Sequence, residues 1–220
     1  IGLEEITQSE TQSKPSKLQP FGYDLFAGSP STFAPLDYAP VPASYLLGPG
    51  DSLRIQLLGK QSAQYELTVN RDGDIDFPEL GPMLVSGLTF DEAKSAIGEQ
   101  ISQRMIGVQV HVTMGKVRPL QVLVMGEAYK PGSYTVSALS TITHAIFAAG
   151  GVKPLASLRN VQLKRAGELV ATLDLYDLLL EGDSSNDLML KPGDVVLIPT
   201  VGKTVIVDGQ VRRVGNVSLV

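Results

Sequence analysis

The chain has 220 residues, 43% of them hydrophobic, and a formal net charge of −5 from 18 Lys and Arg against 23 Asp and Glu. This length predicts two small domains, and the acidic balance gives no general attraction for nucleic acid or an anionic membrane surface. Cys is absent, which excludes disulfides, thiolate nucleophiles and Cys-ligated zinc but leaves the cellular compartment open. No run approaches the roughly 20 apolar residues that span a bilayer, and the first residues do not resemble a signal peptide.

Residues 1–44 are predicted to form an extended strap. They contain six of the 14 prolines, which disfavour regular helix and central strand. They also contain five of the 13 aromatic residues, whereas a solvated linker is normally poor in aromatics. We therefore expect rings of the strap to dock on a neighbouring surface.

Residues 45–116 predict a first unit with the element order βββαβ. Apolar and polar residues alternate around positions 53, 65 and 75, which is the period of half-buried strands. The pair Asp72-Gly73 between the second and third strands is a hairpin-turn signal. A capping box at Thr89–Glu92 predicts the start of a helix, and alternation over 108–114 predicts the closing strand.

Residues 117–200 predict a second unit, which we expect to be a ubiquitin-like β-grasp. Glycines at Gly150-Gly151 are expected to end its main helix, because glycine accepts a left-handed backbone. Both units together predict an α+β fold of small mixed β-sheets, each crossed by a helix. The predicted elements are, in order, a strand at 120–126, a turn at Lys130–Gly132, a strand from Tyr134, a helix capped by Ser140 or Thr141, a hairpin turning at Ala166-Gly167, a helical turn at Asp174–Leu180, and a strand at 195–198 entered from Pro192-Gly193-Asp194.

The opening of the second unit returns near the end of the chain. Gln121–Tyr134 is similar to Thr204–Val217, with Gly126 matching Gly209 and Gly132 matching Gly215, so both glycine pairs are 83 positions apart. A repeat of this length is a small domain and not one turn of a solenoid. We therefore expect residues 201–220 to begin a second, incomplete copy of the unit.

One acidic stretch resembles the start of a calcium-binding EF-hand loop but lacks the rest. Asp72, Asp74 and Asp76 have the spacing of its first three ligands. The sixth position is Phe77 where glycine is required, and the twelfth is Met83 where a bidentate Glu is required. We expect these carboxylates to be hairpin residues that face water, and we expect no metal site.

Other motifs for cofactors and catalysis are also incomplete. Gly202-Lys203-Thr204 resembles the end of a P-loop, but Leu197 stands where the first glycine belongs. Gly48-Pro49-Gly50 is a turn and not a dinucleotide fingerprint. His111 and His144 lack partners at ligand spacing, so they are interpreted as surface histidines. No cofactor is expected.

The sequence argues against a serine hydrolase but leaves a glycosidase-type carboxylate pair open. No Ser occurs in Gly-x-Ser-x-Gly, which argues against the commonest serine-hydrolase arrangement. Carboxylates such as Glu127, Asp174 and Asp194 remain open as a glycosidase-type pair, because sequence cannot exclude that they are spatial neighbours. Each of them also lies near a turn or cap, where a carboxylate has a structural role.

Each unit contains four ordered motifs. Those of the first unit are Tyr45–Asp51, Val69–Gly73, Phe77–Gly81 and Gly87–Ala93, and those of the second are Val124–Glu127, Lys130–Gly132, Ala145–Gly151 and Leu190–Val195. The first set resembles the polysaccharide export domain of bacterial outer-membrane capsule and exopolysaccharide export proteins. The second set resembles the soluble-ligand-binding β-grasp (SLBB) domain that follows it in that family. The resemblance covers about 45–217, and in the second copy Val214 replaces Pro131.

The resemblance implies a structural role for the turns of these motifs and no catalysis. It also implies a ring-forming component on the periplasmic face of the outer membrane, which passes capsular polysaccharide or exopolysaccharide and meets an inner-membrane polysaccharide copolymerase. Membrane attachment is expected only through segments outside this sequence. The turn residues are Gly48, Pro49, Gly50, Asp51, Asp72, Gly73, Gly126, Pro131, Gly132, Gly150, Gly151, Pro192, Gly193 and Asp194.

A binding function is the alternative. In that hypothesis the β-grasp unit is a periplasmic receptor for a saccharide or a peptidoglycan-like ligand. Tyr129, Tyr134 and Tyr176 are the candidate stacking platforms, although packing in the core or at a sheet edge is the competing interpretation of each ring.

Overall fold

The computed structural model describes residues 22–26, 40–59, 62–207 and 215–218, and the α+β class predicted from the sequence is confirmed. The elements are α1 (Tyr23–Phe26), β1 (Ser52–Gly59), β2 (Ala63–Thr68), β3 (Asp74–Phe77), β4 (Gly81–Leu84), α2 (Phe90–Arg104), β5 (Val108–Met114), β6 (Pro119–Gly126), β7 (Gly132–Ser137), α3 (Ile142–Ala148), β8 (Val161–Arg165), β9 (Glu168–Leu173), α4 (Leu175–Leu180), β10 (Val195–Ile198), β11 (Thr204–Val207) and β12 (Gly215–Ser218).

The first unit is an antiparallel sheet of order β2-β1-β5 against which α2 packs. Its central strand is buried on one face, with Leu53, Ile55 and Leu57 at most 1% exposed. The helix supplies Ala93, Ile97 and Ile101 to the same core, as its spacing predicts.

The predicted hairpin between the second and third strands is wrong. Asp72 and Gly73 do lie in a tight turn, because the Asn70 carboxamide oxygen accepts from the amides of Asp72 and Asp74 at 3.0 and 2.9 Å. However, β3 pairs with β4, a strand that the sequence did not reveal, and these two form a separate two-stranded sheet. The order of the first unit is therefore ββββαβ.

The capping box at the start of α2 is confirmed. The Thr89 hydroxyl accepts from the Glu92 amide at 3.3 Å, and the Glu92 carboxylate accepts from the Thr89 amide at 2.8 Å. These hydrogen bonds lower the pKa of Glu92 below its usual 4.5.

We expect Thr89→Ala to lower the free energy of unfolding by about 1 kcal/mol, the usual cost of losing a helix cap. A group whose pKa is lowered by folding stabilises the fold above its unfolded pKa and loses that effect as pH falls through the folded value. Thr89→Ala keeps the backbone amide but removes the hydroxyl, which also donates to the Glu92 carboxylate at 2.8 Å. Urea unfolding should therefore give a difference between wild type and Thr89→Ala that is constant near neutral pH and shrinks below about pH 4.5. A difference independent of pH would contradict this role of Glu92.

The second unit is a five-stranded sheet of order β7-β6-β10-β8-β9 crossed by α3. Its first strand β6 and its last strand β10 are parallel neighbours, and the other pairs are antiparallel. This is the topology of the β-grasp. The helix face that covers the sheet contains Ile142, Ala145 and Ile146, all 0% exposed.

A further two-stranded sheet joins β11 to β12. Its pairs Val205↔Val217 and Val207↔Gly215 reproduce Val122↔Tyr134 and Val124↔Gly132 of β6 and β7, each residue lying 83 positions later. The backbone pairing therefore follows the sequence repeat in register. Gly209 lies outside the described residues.

Candidate functional site

Two turns of the same sequence form, Pro-Gly-Asp, precede β1 and β10. In each turn the carboxylate accepts from the backbone amide three residues earlier, at 2.9 Å for Gly48 to Asp51 and 2.7 Å for Lys191 to Asp194. Gly50 and Gly193 take positive φ angles of 97° and 82°, which suits the third position of a four-residue turn with proline at the second. Pro49 and Pro192 are exposed. Both Asp side chains are nevertheless 0% exposed.

Asp51 is surrounded by donors. Its two oxygens accept from the Tyr45 hydroxyl at 2.9 and 3.1 Å, and Oδ1 accepts from the Arg118 amide at 2.8 Å. The Arg118 guanidinium closes an ion pair with Oδ2 and lies over the Tyr45 ring, with Cζ 5.6 Å from the centroid. Burial first, and then the negative charge of Asp51, raises the pKa of Tyr45, so this hydroxyl remains a donor.

Asp194 forms a bidentate ion pair with Arg165. Nε and Nη2 of Arg165 donate to its two oxygens at 2.7 and 2.8 Å, the fork geometry that carboxylates bind best. These hydrogen bonds raise the pKa of Arg165 above its usual range. Because Arg165 ends β8, the ion pair anchors the turn before β10 to the neighbouring strand.

Arg118 also belongs to the segment that joins the two units. This segment follows β5, and its Lys116 amide donates to the Ser52 hydroxyl at 2.6 Å. The Arg118 carbonyl accepts from the Ala138 amide of the second unit at 3.0 Å. A Cβ atom at Gly48 would lie 2.9 Å from Nη1 of Arg118, so glycine leaves room for the guanidinium. Asp51, Tyr45 and Arg118, which we call the joint cluster, thus hold the junction between the units.

The other predicted turn residues have separate structural roles. Gly126 has φ 82°, and a Cβ there would overlap the carbonyl of Ile198 on the adjacent strand. Gly150 and Gly151 have φ 82° and 88° just after α3. Pro131 is exposed in the turn before β7, and Gly132 is the first residue of β7.

The histidines differ from each other. His111 is exposed on β5, as expected. His144 is partly buried, and its Nδ1 lies 3.1 Å from the Thr141 amide that donates to it. The interpretation of His144 as a simple surface histidine is therefore wrong, because it caps α3.

Each of the three open carboxylates is engaged by a cation of its own, Asp194 by Arg165 as described above. Glu127 forms an ion pair with Lys153 at 3.8 Å. Asp174 caps α4 by accepting from the Tyr176 amide at 2.8 Å, and it also pairs with Arg159 at 3.0 Å. Among the described residues, no group of three His, Asp or Glu side chains is placed to hold a metal ion.

The candidate stacking platforms are not equivalent. Tyr129 is 62% exposed and lies against Gly150. Tyr134 is partly buried and its hydroxyl donates to the Lys130 carbonyl at 2.6 Å. Tyr176 is 2% exposed, so it is a core residue whose ring offers no stacking surface to a ligand.

The described part of the strap docks on the second unit of its own chain. The sequence predicted no helix here, but Tyr23–Phe26 form the short helix α1. Its two aromatic residues are buried: the Tyr23 hydroxyl donates to the Ala156 carbonyl, and the Phe26 ring stacks on Phe147 with centroids 5.8 Å apart. The Val152 amide donates to the Phe26 carbonyl at 2.9 Å.

Phe26→Ala should release α1 while the β-grasp stays folded. Removing a buried Phe costs about 3–5 kcal/mol, more than a four-residue helix can replace by its remaining contacts. Hydrogen exchange measured by NMR should therefore show that the Val152 amide loses protection while the β6 amides keep theirs.

Leu25→Ala is the matched control, since Leu25 is 65% exposed, and it should leave Val152 protected. Unchanged protection of Val152 in Phe26→Ala would contradict the docking of α1.

The docking of α1 should also depend on pH. Burial raises the pKa of Tyr23 to about 12 from 10.0 in the unfolded chain. The docked helix should therefore be retained below pH 10.0 and lost as pH rises toward 12.

The roles of Arg118 and Arg165 and the surface that receives α1 were not predicted from the sequence. One signal was present, a carboxylate directly before a buried strand, because a buried Asp needs a cation. The sequence could not say which Arg supplies it.

Comparison with known proteins gives matches to both units. Residues 39–115 match the family described as Polysaccharide biosynthesis/export protein, and residues 120–198 match the SLBB domain. The Polysialic acid transport protein KpsD of Escherichia coli is 28% identical over 194 residues, which cover 87% of this chain and 34% of that protein. The EPS I polysaccharide export outer membrane protein EpsA of Ralstonia nicotianae is 30% identical over 152 residues, 68% of this chain and 40% of that protein.

The chain thus spans well under half the length of these relatives. No helix in the described residues has the length and apolar character needed to cross a membrane. The two matches follow one another in the order export domain, then SLBB domain, and coincide with the motifs of the two units. The chain belongs to the bacterial polysaccharide export protein family.

Proposed function

We propose that this chain is a periplasmic part of an outer-membrane polysaccharide export channel, a ring-forming component that passes capsular polysaccharide or exopolysaccharide to the cell surface. The joint cluster is the observation that supports this most strongly. A closed ring requires every copy to present its units at the same angle, and the buried Asp51–Arg118 ion pair fixes the junction between the two units.

The proposal includes the domain division and the partners. Residues 45–116 form the export domain, 117–200 the SLBB domain, and 201–220 the start of a further SLBB unit, which the shared register of the two hairpins supports. The partners are further copies of the same protein, the exported glycan and an inner-membrane polysaccharide copolymerase. The role is structural transport and not catalysis, in keeping with relatives named as export and transport proteins.

Deletion and complementation test the export role. Cells without the full-length protein should lose surface polysaccharide and accumulate it internally, and the intact gene should restore export. Normal surface polysaccharide in the deletion strain would contradict the proposal.

A receptor function is the second candidate, and the 62% exposure of Tyr129 favours it. Glu127 and Lys153 form an ion pair on the segments that flank this ring, which gives a saccharide polar groups beside a stacking surface. Calorimetry with oligosaccharides of the exported glycan separates the two candidates. Micromolar binding that Tyr129→Ala abolishes supports a receptor, whereas weak or absent binding supports a conduit.

A further inference from the structure

The outer face of the sheet β2-β1-β5 carries a grid of polar side chains. The strand pairing places them in rows, with Arg54 between Glu66 and Thr113, and Gln56 between Gln64 and His111. Gln109 lies opposite Leu58 in the next row. All of these side chains are exposed except Gln56, which is partly exposed.

Most of the hydrogen-bonding capacity of this grid is open to solvent. The Gln56 amide donates to the Gln64 oxygen at 3.2 Å, and the Arg54–Glu66 pair is long at 3.9 Å and about half exposed. Within the described residues, the side chains of Gln109 and His111 have no protein hydrogen-bond partner. A carboxamide offers both donors and an acceptor, which matches a sugar hydroxyl that also does both.

Two hollows adjoin these rows. One, of about 310 Å³, lies along Gln56 and Gln64. The other, of about 750 Å³, lies between Arg54, Glu66 and Lys116 and extends along the junction of the two units. Within a row, neighbouring side chains stand on adjacent strands about 4.8 Å apart, a spacing comparable with the length of one sugar residue.

The chemistry of the face favours a glycan over a protein. Protein interfaces have an apolar core rich in aromatic residues and Met, and Leu58 is the one large apolar side chain among the outward positions of these three strands. The outer face of the β-grasp sheet differs, because Leu123 and Met125 of β6 are exposed there. The formal charges of Arg54 and Glu66 cancel, so ionic attraction is not the main source of binding.

We propose that the outer face of β2-β1-β5 is a glycan-contacting surface, which holds the exported polymer weakly through Gln56, Gln64, Gln109 and His111. This inference rests on the proposed function and names the part of the chain that the polymer meets. Each neutral hydrogen bond gains little over water, so binding is millimolar, and the absence of an aromatic platform on this face lets a long chain slide.

NMR titration of the nitrogen-15-labelled 220-residue chain tests the proposal. The probes are maltohexaose, which is neutral, and hexameric sialic acid, which is acidic. Both should shift the side-chain amide signals of Gln56, Gln64 and Gln109, and a tenfold increase in salt should leave the affinity for maltohexaose unchanged, since hydrogen bonds between neutral groups are not screened.

The variant carrying Gln56→Val, Gln64→Val and Gln109→Val removes the amides and keeps strand propensity. Its affinity for both sugars should fall at least tenfold. The matched control carries Gln121→Val, Thr135→Val and Thr172→Val on exposed strand positions of the second unit and should bind like wild type. If the first variant does not fold, the position of the wild-type shifts decides the question.

Three results would overturn the proposal: shifts confined to the second unit, binding of the acidic probe alone that disappears with salt, or no shift with either probe at millimolar concentration. Failure here is distinguishable from failure of the export role. A deletion strain that loses export, complemented fully by the triple Val variant, would leave the export role standing and remove the glycan surface.

Discussion

Arg118→Met is expected to lower the free energy of unfolding by about 3 kcal/mol, because it leaves Asp51 buried without its cation. Asp51 is 0% exposed, and Tyr45 and two backbone amides would remain as its donors. Those donors keep the loss near the lower end of the range for a broken buried pair. Urea unfolding of the 220-residue chain, followed by circular dichroism, measures the difference.

Arg54→Met is the matched control for this prediction. The Arg54–Glu66 pair is 3.9 Å long and about half exposed, so removing it should change stability by less than about 1 kcal/mol. Equal losses in the two variants would mean that Arg118 contributes no more than a surface charge.

Arg118→Met should also make the angle between the two units more variable. Because the sequence lacks Cys, spin labels can be placed by Ser102→Cys and Glu168→Cys, both at exposed positions. The distance distribution between the labels should be narrow with Arg118 present and broad in Arg118→Met. A distribution that stays narrow would show that other contacts hold the junction.

Gly126→Ala should have the second large effect. Alanine at φ 82° is strained by roughly 1–2 kcal/mol, and its methyl group would also overlap the Ile198 carbonyl where β6 and β10 pair. We expect a total loss of about 3 kcal/mol or more, since overpacking adds roughly 1–3 kcal/mol.

Gly167→Ala separates strain from overlap. Gly167 has φ 87° and no atom within 4 Å of a Cβ position, so this variant should lose only the strain of roughly 1–2 kcal/mol. Urea unfolding of both variants gives the comparison. Equal losses would mean that β6 and β10 separate without cost and that the close approach is not what requires glycine.

Local patterns in the sequence predicted most of the strands and helix ends. The Thr89–Glu92 capping box and the apolar face of α2 depend on residues within four positions of one another, and the structure has both. The turn at Ala166-Gly167 is similar, because both residues take positive φ angles of 49° and 87° and so form a hairpin turn.

Contacts between distant residues could not be predicted in the same way. Arg118 is 67 positions from Asp51, and Arg165 is 29 positions from Asp194. The pairing of β3 with β4 was missed because β4 has four residues with proline at its second position, which is a weak strand signal. The sequence of the strap showed aromatic residues that need burial. It could not show which surface of the second unit receives them, because that surface is formed by residues more than 100 positions away, such as Phe147 and Ala156.

Electron microscopy of the purified full-length protein is the most direct test of the export assignment. If the protein is a ring-forming export component, the images should show closed rings in which every copy has the export unit and the β-grasp unit at one common angle. A population made up of monomers alone, under conditions where the protein is folded and supports export in cells, would contradict it.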